Sequence, residues 1–424
     1  MIFRLIYTLI GYLFLPLVIV FLNLPKKHKQ PYGLRFFELL GFIRYKSNNH
    51  NRVWIHTVSV GETIAAIPFI KQYHEKHPDI ELIVTTTTTT GAQQLNKLDF
   101  IRHFYAPLDY PHAIFLFLQQ IKPKALIIME TELWPNWLNA CQKRNIPTIL
   151  MNARLSERSC QKYQKLFSVF TQLIGSKLSL VLCQNKNDEE RFRRLKVTNT
   201  QITGSMKYDL EINTELCIRG NELKKIIGDR PIWIAASTHE GEDEIFLAIH
   251  KNILSNIPNA LLILVPRHPQ RFDSVAQKVI KQNFTIARRS MDDIPNADTN
   301  EYLGDTLGEL ILLYQAADVV FIGGSLTDIG GHNPIEPASV SKPLLIGPYY
   351  YNFEDIVLKL SEAGGLEIIE DQNLITSRIT NLLLNKETAK HIGIKAFDFV
   401  EANHGAITKT INHIDDIFHS LEQK

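Results

Sequence analysis

Carboxylates, cations and glycines recur in this chain at the ends of short apolar runs, where side chains can gather on one rim of a parallel sheet. The densest such stretch is Phe321–Ser339, FIGGSLTDIGGHNPIEPAS. The apolar run Val319–Ile322 stops at Gly323-Gly324, and a second pair follows at Gly330-Gly331. Asn333-Pro334 then opens a helix, with Asn as N-cap and Pro at N1. Strand, glycine loop and helix N-terminus in that order predict an anion site. Bare backbone amides and the positive end of the helix dipole would face a phosphorylated ligand. Glu336 either closes a capping box onto the Asn333 amide or accepts the paired hydroxyls of a ribose; this segment alone leaves both open.

Other segments add groups of complementary chemistry. Glu62, in Ser59-Val60-Gly61-Glu62, falls in the first turn of a helix at the tip of a strand. It either complements the helix dipole or, facing an interdomain cleft, serves as a general base. Glu130 and Glu132 end another strand of the same half, beside the apolar Leu133, Trp134 and Trp137. In the second half, Arg267 and His268 follow a strand directly, and an arginine there grips phosphate or carboxylate bidentately. Asp305–Leu310 starts a helix running toward Ala317, and Ser237-Thr238-His239-Glu240 ends a strand and begins a helix. Each supplies a further helix N-terminus for the same anion. Lys207 is either a surface lysine or a cation reaching a leaving phosphate.

To position these groups the chain needs parallel sheets. From Arg52 onward, apolar runs alternate with helical patterns, the mark of βαβ units. Strands are expected at Val53–Thr57, Leu82–Thr86, Ala125–Met129, Thr148–Met151, Leu180–Cys183 and Gln201–Thr203. A second series is expected at Ile232–Ala236, Leu261–Val265, Thr285–Ala287, Val319–Ile322, Leu344–Ile346 and Glu367–Ile369. Two such series predict two doubly wound domains, joined near Gly204–Thr214. The threonine run Thr85–Thr90 leads out of a strand toward Gly91 and either faces a cleft or simply ends the strand.

A chain of 424 residues exceeds one compact core, and 45% hydrophobic residues suffice for two or three. The net charge of +2 gives no global push toward nucleic acid or membrane. Cys141, Cys160, Cys183 and Cys217 show no CxxC spacing, so neither a zinc site nor a disulfide framework is indicated. Leu5–Leu24 carries no charge and as a helix would span about 30 Å, the hydrocarbon thickness of a bilayer. No small-x-small cleavage site follows it, which favours an anchor over a removed signal peptide. Pro16 leaves a kinked, re-entrant or interfacial helix open. Lys26, Lys27 and Lys29 follow at once, so the charge bias puts the body in the cytoplasm, beside anionic headgroups.

Together the stretches VSVGE, ETELWP, NARLSERS, GSMKYD, ASTHEGE, PRHPQRF, DTLGEL and GGSLTDIGGHNPIEPA resemble the 3-deoxy-D-manno-octulosonic acid (Kdo) transferases of lipopolysaccharide assembly. They run in family order from Ser59 to Ala338; the threonine run departs from the more mixed sequence expected there. The resemblance implies an α/β GT-B glycosyltransferase: two Rossmann-like domains facing a cleft, with no catalytic metal and no cofactor. It implies residues 1–30 as anchor and basic collar, 31–213 as acceptor domain and 214–400 as donor domain. Residues 401–424 would form a C-terminal helix packing back on the first domain. It also implies CMP-Kdo as donor, the lipid A precursor lipid IVA as acceptor, the inner membrane's anionic surface as a partner, and no nucleic acid. Family roles carried over make Glu62 the general base, with Glu130 and Lys207 supporting the transition state. Arg267, His268, Gly308, Glu309, Leu310, Asn333, Pro334, Ile335 and Glu336 become the CMP site. A sugar-nucleotide epimerase of GT-B-like fold would share the nucleotide half without needing an anchor. A non-catalytic membrane scaffold would not need the acidic and basic residues intact.

Overall fold

The computed structural model describes residues 2–23, 32–46 and 51–422. Lys26, Lys27 and Lys29 lie outside them. The chain forms two compact units: one runs up to Asp209 and takes in the C-terminal segment from His404, and the other is Leu210–Asn403.

The first unit holds a seven-stranded parallel sheet. Its strands are β1 (Arg52–Thr57), β2 (Glu81–Thr86), β3 (Ile101–Tyr105), β4 (Ala125–Met129), β5 (Thr148–Ala153), β6 (Leu180–Cys183) and β7 (Thr200–Ile202). They lie in the order β3-β2-β1-β4-β5-β6-β7, so the direction of winding reverses between β1 and β4. Helices cover both faces, which is why these strands are apolar throughout rather than alternating. Trp54, Ile83, Leu126, Ile128 and Leu150 enter one core. Val53, Ile55, Leu82, Val84, Ile127 and Met129 enter the other. Each such side chain contributes about 1.5–3 kcal/mol by burial.

That second core is completed from the far end of the chain. The helix Ala406–Glu422 lays Ile407, Ile411 and Ile414 against Ala66, Phe69 and Tyr73 of the helix Val60–Lys76. Its free N-terminal amides at Gly405, Ala406 and Ile407 all donate to the Asp209 carboxylate, which satisfies groups a helix start leaves orphaned.

The second unit repeats the plan with β8 (Ile232–Thr238), β9 (Leu261–Pro266), β10 (Ile286–Arg288), β11 (Glu301–Leu303), β12 (Val319–Ile322), β13 (Leu344–Ile346) and β14 (Leu366–Ile368). The order is β10-β11-β9-β8-β12-β13-β14, all parallel, with the reversal between β8 and β12.

Two strands, β3 and β11, were not expected from the sequence. β3 is an edge strand that interrupts its apolar pattern with Arg102 and His103. β11 carries Glu301, whose carboxylate is fully buried with no hydrogen-bond partner among the described residues. Burial, and secondarily Asp243, push its pKa far up, favouring the neutral acid that such a position requires.

The N-terminal apolar segment is a helix, Ile2–Asn23, running unbroken through Pro16 with a mean hydropathy of 2.5 over Ile2–Leu22. Leu9 and Leu13 are more than 70% exposed (72% and 75%), so this face has no protein cover. The opposite side is tied to the first unit by polar bonds. Tyr12 Oη lies 2.7 Å from His112 Nδ1, Thr8 donates to Asn136, and Tyr110 donates to the Gly11 carbonyl.

Candidate active site

In the first unit the acids gather at the carboxyl ends of β1 and β4, the two strands that flank the winding reversal, where open α/β sheets bind ligands. Ser59 caps the helix that follows β1, accepting from Glu62 N at 3.4 Å. The Glu62 carboxylate turns back to accept from Val58 N and from Ser59 Oγ, each at 2.9 Å. These bonds fix the side chain and use one lone pair on each oxygen, leaving each a second. Glu62 lines a cavity of about 360 Å³ with Glu130, Glu132, Arg154, Ser159 and Tyr163. Burial, then the Glu62 charge, push the Glu130 pKa up, while Lys207 and Arg154 pull it back. Glu132 is raised by burial, then by Glu62 and Glu130. In this one cavity, then, the Glu62 charge bears on both other carboxylates and that of Glu130 on Glu132, an arrangement of the kind found at sites of proton chemistry.

The loops holding these acids are strained. Glu130 has φ 57° at the end of β4, and Asn152 has φ 51° near the end of β5. Left-handed backbone costs roughly 1–2 kcal/mol at a residue with a Cβ. Such strain concentrates at functional sites. Asn152 also accepts from Met206 N at 3.1 Å, holding the short turn Met206–Tyr208 on which Lys207 stands exposed.

In the second unit the corresponding place, the ends of β8 and β12, is basic. His239 follows β8, His332 follows β12, and Arg267 and His268 follow the neighbouring β9. The His239 and His332 rings are nearly coplanar (9°) and meet head to head, with centroids 5.1 Å and Nε2 atoms 2.9 Å apart. His268 meets His239 edge-on at 5.3 Å. The Arg267 guanidinium makes no hydrogen bond among the described residues, although its charge lowers the pKa of Glu336. Burial is the larger influence on Glu336 and raises it; the nearby Asn333 side chain also pulls it down.

A scan of family models matches residues 34–210 to the 3-deoxy-D-manno-octulosonic-acid transferase (kdotransferase) N-terminal domain. A 3-deoxy-D-manno-octulosonic acid transferase of Haemophilus influenzae is 39% identical over 416 residues, covering 96% of this chain and 97% of that protein. This chain belongs to the Kdo transferase family. The fold of this transferase is GT-B. A glycosyltransferase from Rickettsia africae superposes with TM-score 0.53 at 13% identity, covering 87% of this chain and 99% of that one. A UDP-GlcNAc 2-epimerase from Neisseria meningitidis gives TM-score 0.55 at 15% identity, covering 85% and 98%. The fold therefore serves both chemistries, and it is the sequence relationship that assigns this chain to the transferases.

The Kdo transferase departs from sequence expectation at the glycine loop. The amides of Gly324, Ser325 and Leu326 are not bare: all three donate to the buried carboxylate of Glu242, at 2.7, 3.0 and 2.9 Å. His239 N donates to the same group at 2.8 Å. An internal carboxylate fills the nest expected to take a ligand anion. Nothing in ASTHEGE marks Glu242 apart from Glu240, since both read as acids near a helix start. The helix after the loop also starts one residue later than expected. It spans Ile335–Ala338 with Pro334 in the cap position, while Asn333 Oδ1 accepts from Ile335 N at 3.0 Å.

The remaining expected residues fall as follows. Gly308 has φ 81° with open space where a Cβ would stand, just before the helix Leu310–Ala316. The Glu309 carboxylate is taken up by Arg289 Nε and Nη2, each at 2.9 Å, by Arg219 and by Thr306. Those bonds, led by Arg289, hold its pKa down to about 2. What this turn can offer a ligand is backbone and the Leu310 side chain rather than that carboxylate. The threonine run is spent on structure: Thr85 and Thr86 end β2, and Thr88 caps the helix Thr89–Leu95 by accepting from Gly91 N. Sequence reasoning named neither Arg154 nor His332 as a site residue, although both stand inside the matching motifs NARLSERS and GGHNPIEP. Among the described residues no three His, Cys, Asp or Glu side chains are grouped to share a metal ion.

Proposed function

We propose that this Kdo transferase moves Kdo from CMP-Kdo to lipid IVA, releasing CMP and inverting the anomeric centre. Glu62 takes the proton from a glucosamine hydroxyl of the acceptor as that oxygen attacks the anomeric carbon. The bond from that carbon to the phosphate oxygen breaks as the new one forms, so charge develops on the departing CMP. Arg267 and His268, with the turn Gly308–Leu310 and the Asn333–Glu336 segment, hold the nucleotide. Glu130 and Lys207 support the transition state, and fixed cations and backbone amides take the place of a metal. One observation carries this reading. In a member of this family, the winding reversal of one sheet bears clustered carboxylates and that of the other bears clustered imidazoles and a free-ended arginine.

The apolar helix Ile2–Asn23 supports attachment to the inner membrane, where an acceptor with acyl chains resides, and the lysines that follow it in sequence, Lys26, Lys27 and Lys29, favour its cytoplasmic face. The protein in detergent or vesicles, given CMP-Kdo with and without lipid IVA, tests the assignment. Release of CMP that depends on lipid, with a mass increase of Kdo on the lipid, is the expected result. Lipid-independent turnover of the nucleotide sugar would point instead to an epimerase or a hydrolase. Undiminished activity in excess chelator is expected of the metal-free mechanism.

A further inference from the structure

We propose that His239 and His332 form a proton-sharing pair that seats an oxyanion of the sugar-nucleotide donor and takes up a proton as that anion binds. The inference rests on the donor reading above and adds two residues to it.

Two imidazole nitrogens 2.9 Å apart must have one hydrogen between them: one Nε2 donates and the other accepts. The arrangement is built, not incidental. Gly324, at φ 67°, leaves the space; a Cβ there would stand 3.0 Å from the His332 ring and 3.4 Å from that of His239. Glu242 holds the backbone on both sides, through His239 N and Gly324 N. The charged and titratable groups facing the pair are all basic: Arg267, His268 and Arg271 from the segment after β9. Glu242 spends its oxygens on backbone amides, and Glu336 acts on Arg267. Partial burial, and behind it these basic neighbours, lower the proton affinity of both rings, that of His332 to about 4. The pair is therefore neutral at pH 7 in the protein alone. A phosphate or carboxylate brought among these groups reverses the balance, because an anion within hydrogen-bond reach favours the charged imidazole. The proton taken from solvent turns a neutral contact into a charge-assisted one, roughly twice as strong.

Calorimetry of CMP and of intact CMP-Kdo binding, in buffers of different ionisation enthalpy at pH 7, reads this directly. Uptake approaching one proton with CMP would place the phosphate at the pair. Uptake with CMP-Kdo but not with CMP would place the sugar carboxylate there. Either supports the proposal. In His239→Asn and His332→Asn, each checked for an unchanged melting profile, uptake should vanish and affinity for the responding ligand should fall about tenfold to a hundredfold. Wild-type binding of both ligands without proton uptake overturns the pair's role whatever the variants do. So does uptake that survives in both variants and disappears only in His268→Asn. Failure of the wild type to bind either ligand would overturn the donor assignment itself, and the pair's role with it.

Discussion

Glu242 Oε2 accepts a 2.7 Å hydrogen bond from Gly324 N, and the same carboxylate takes the next two amides and His239 N. One buried acid thereby ties the loop after β12 to the junction after β8, the two strands flanking the reversal of the second sheet. Removing it leaves several buried N–H groups without acceptors, at about 1–3 kcal/mol each. Glu242→Ala is therefore expected to lower unfolding free energy by at least about 3 kcal/mol, measured by urea titration. Glu242→Gln, which keeps one good acceptor, should lose less. A neutral Glu242→Ala would mean that the loop holds its shape without the acid.

Glu62 carries two roles that mutation can separate. Its side chain closes the first turn of the helix Val60–Lys76, a contribution of about 1 kcal/mol. As general base it should be worth about a hundredfold to ten-thousandfold in rate. Glu62→Gln keeps an acceptor for Val58 N and removes the basicity. We expect transfer to fall by that range in kcat, with a melting temperature within a few degrees of wild type. Near-wild-type turnover in purified Glu62→Gln would remove Glu62 from the mechanism and leave it a cap.

The sheets were legible because parallel strands buried on both faces read as plain apolar runs. The six expected in each half correspond to strands, but the order in which they pair, which sets the reversal points, is decided by tertiary contact. β3 and β11 were hidden by the residues that depart from that rule, an exposed Arg102 on an edge and a buried Glu301 in the interior. The glycine loop shows a deeper limit. Glycine pairs before a short helix announce that amides converge, but the group that fills them is chosen by tertiary contact. Here it is Glu242, from the start of another helix. The histidine pair has the same origin: the two residues are 93 positions apart and meet only because β8 and β12 are neighbours.

Glu336 distinguishes binding from capping in a single variant. In the structure it does not close onto the Asn333 amide; its carboxylate feels the Asn333 side chain and the charge of Arg267. Glu336→Ala should therefore weaken CMP binding by about tenfold, the loss of one charge-assisted bond, with a small change in melting temperature. Cytidine should lose as much as CMP if the carboxylate meets the ribose. A fall in thermal stability with unchanged nucleotide affinity would return Glu336 to a purely structural role.

Acid sensitivity has its own source in the second core. Trp233 Nε1 donates to His250 Nδ1 at 3.1 Å, so Nε2 carries the hydrogen and donates to the Asn300 carbonyl at 2.8 Å. Burial, and secondarily Arg230, bring the His250 pKa down from 6.5 to about 4. Above pH 6.5 the ring is neutral in both folded and unfolded chains and contributes no pH dependence. As pH falls from 6.5 toward 4, the unfolded chain gains a proton that the folded one does not, so stability declines; the full effect is roughly 3 kcal/mol. His56, fully buried and lowered to about 3, acts in the same direction in the first unit. Gln at position 250 supplies an acceptor for Trp233 and a donor for Asn300 without titrating. Urea midpoints from pH 7.5 to 4.5 should therefore fall less steeply in His250→Gln than in wild type, even if the variant starts less stable. Parallel curves would show that the ring is already protonated in the fold or never takes up the proton on unfolding.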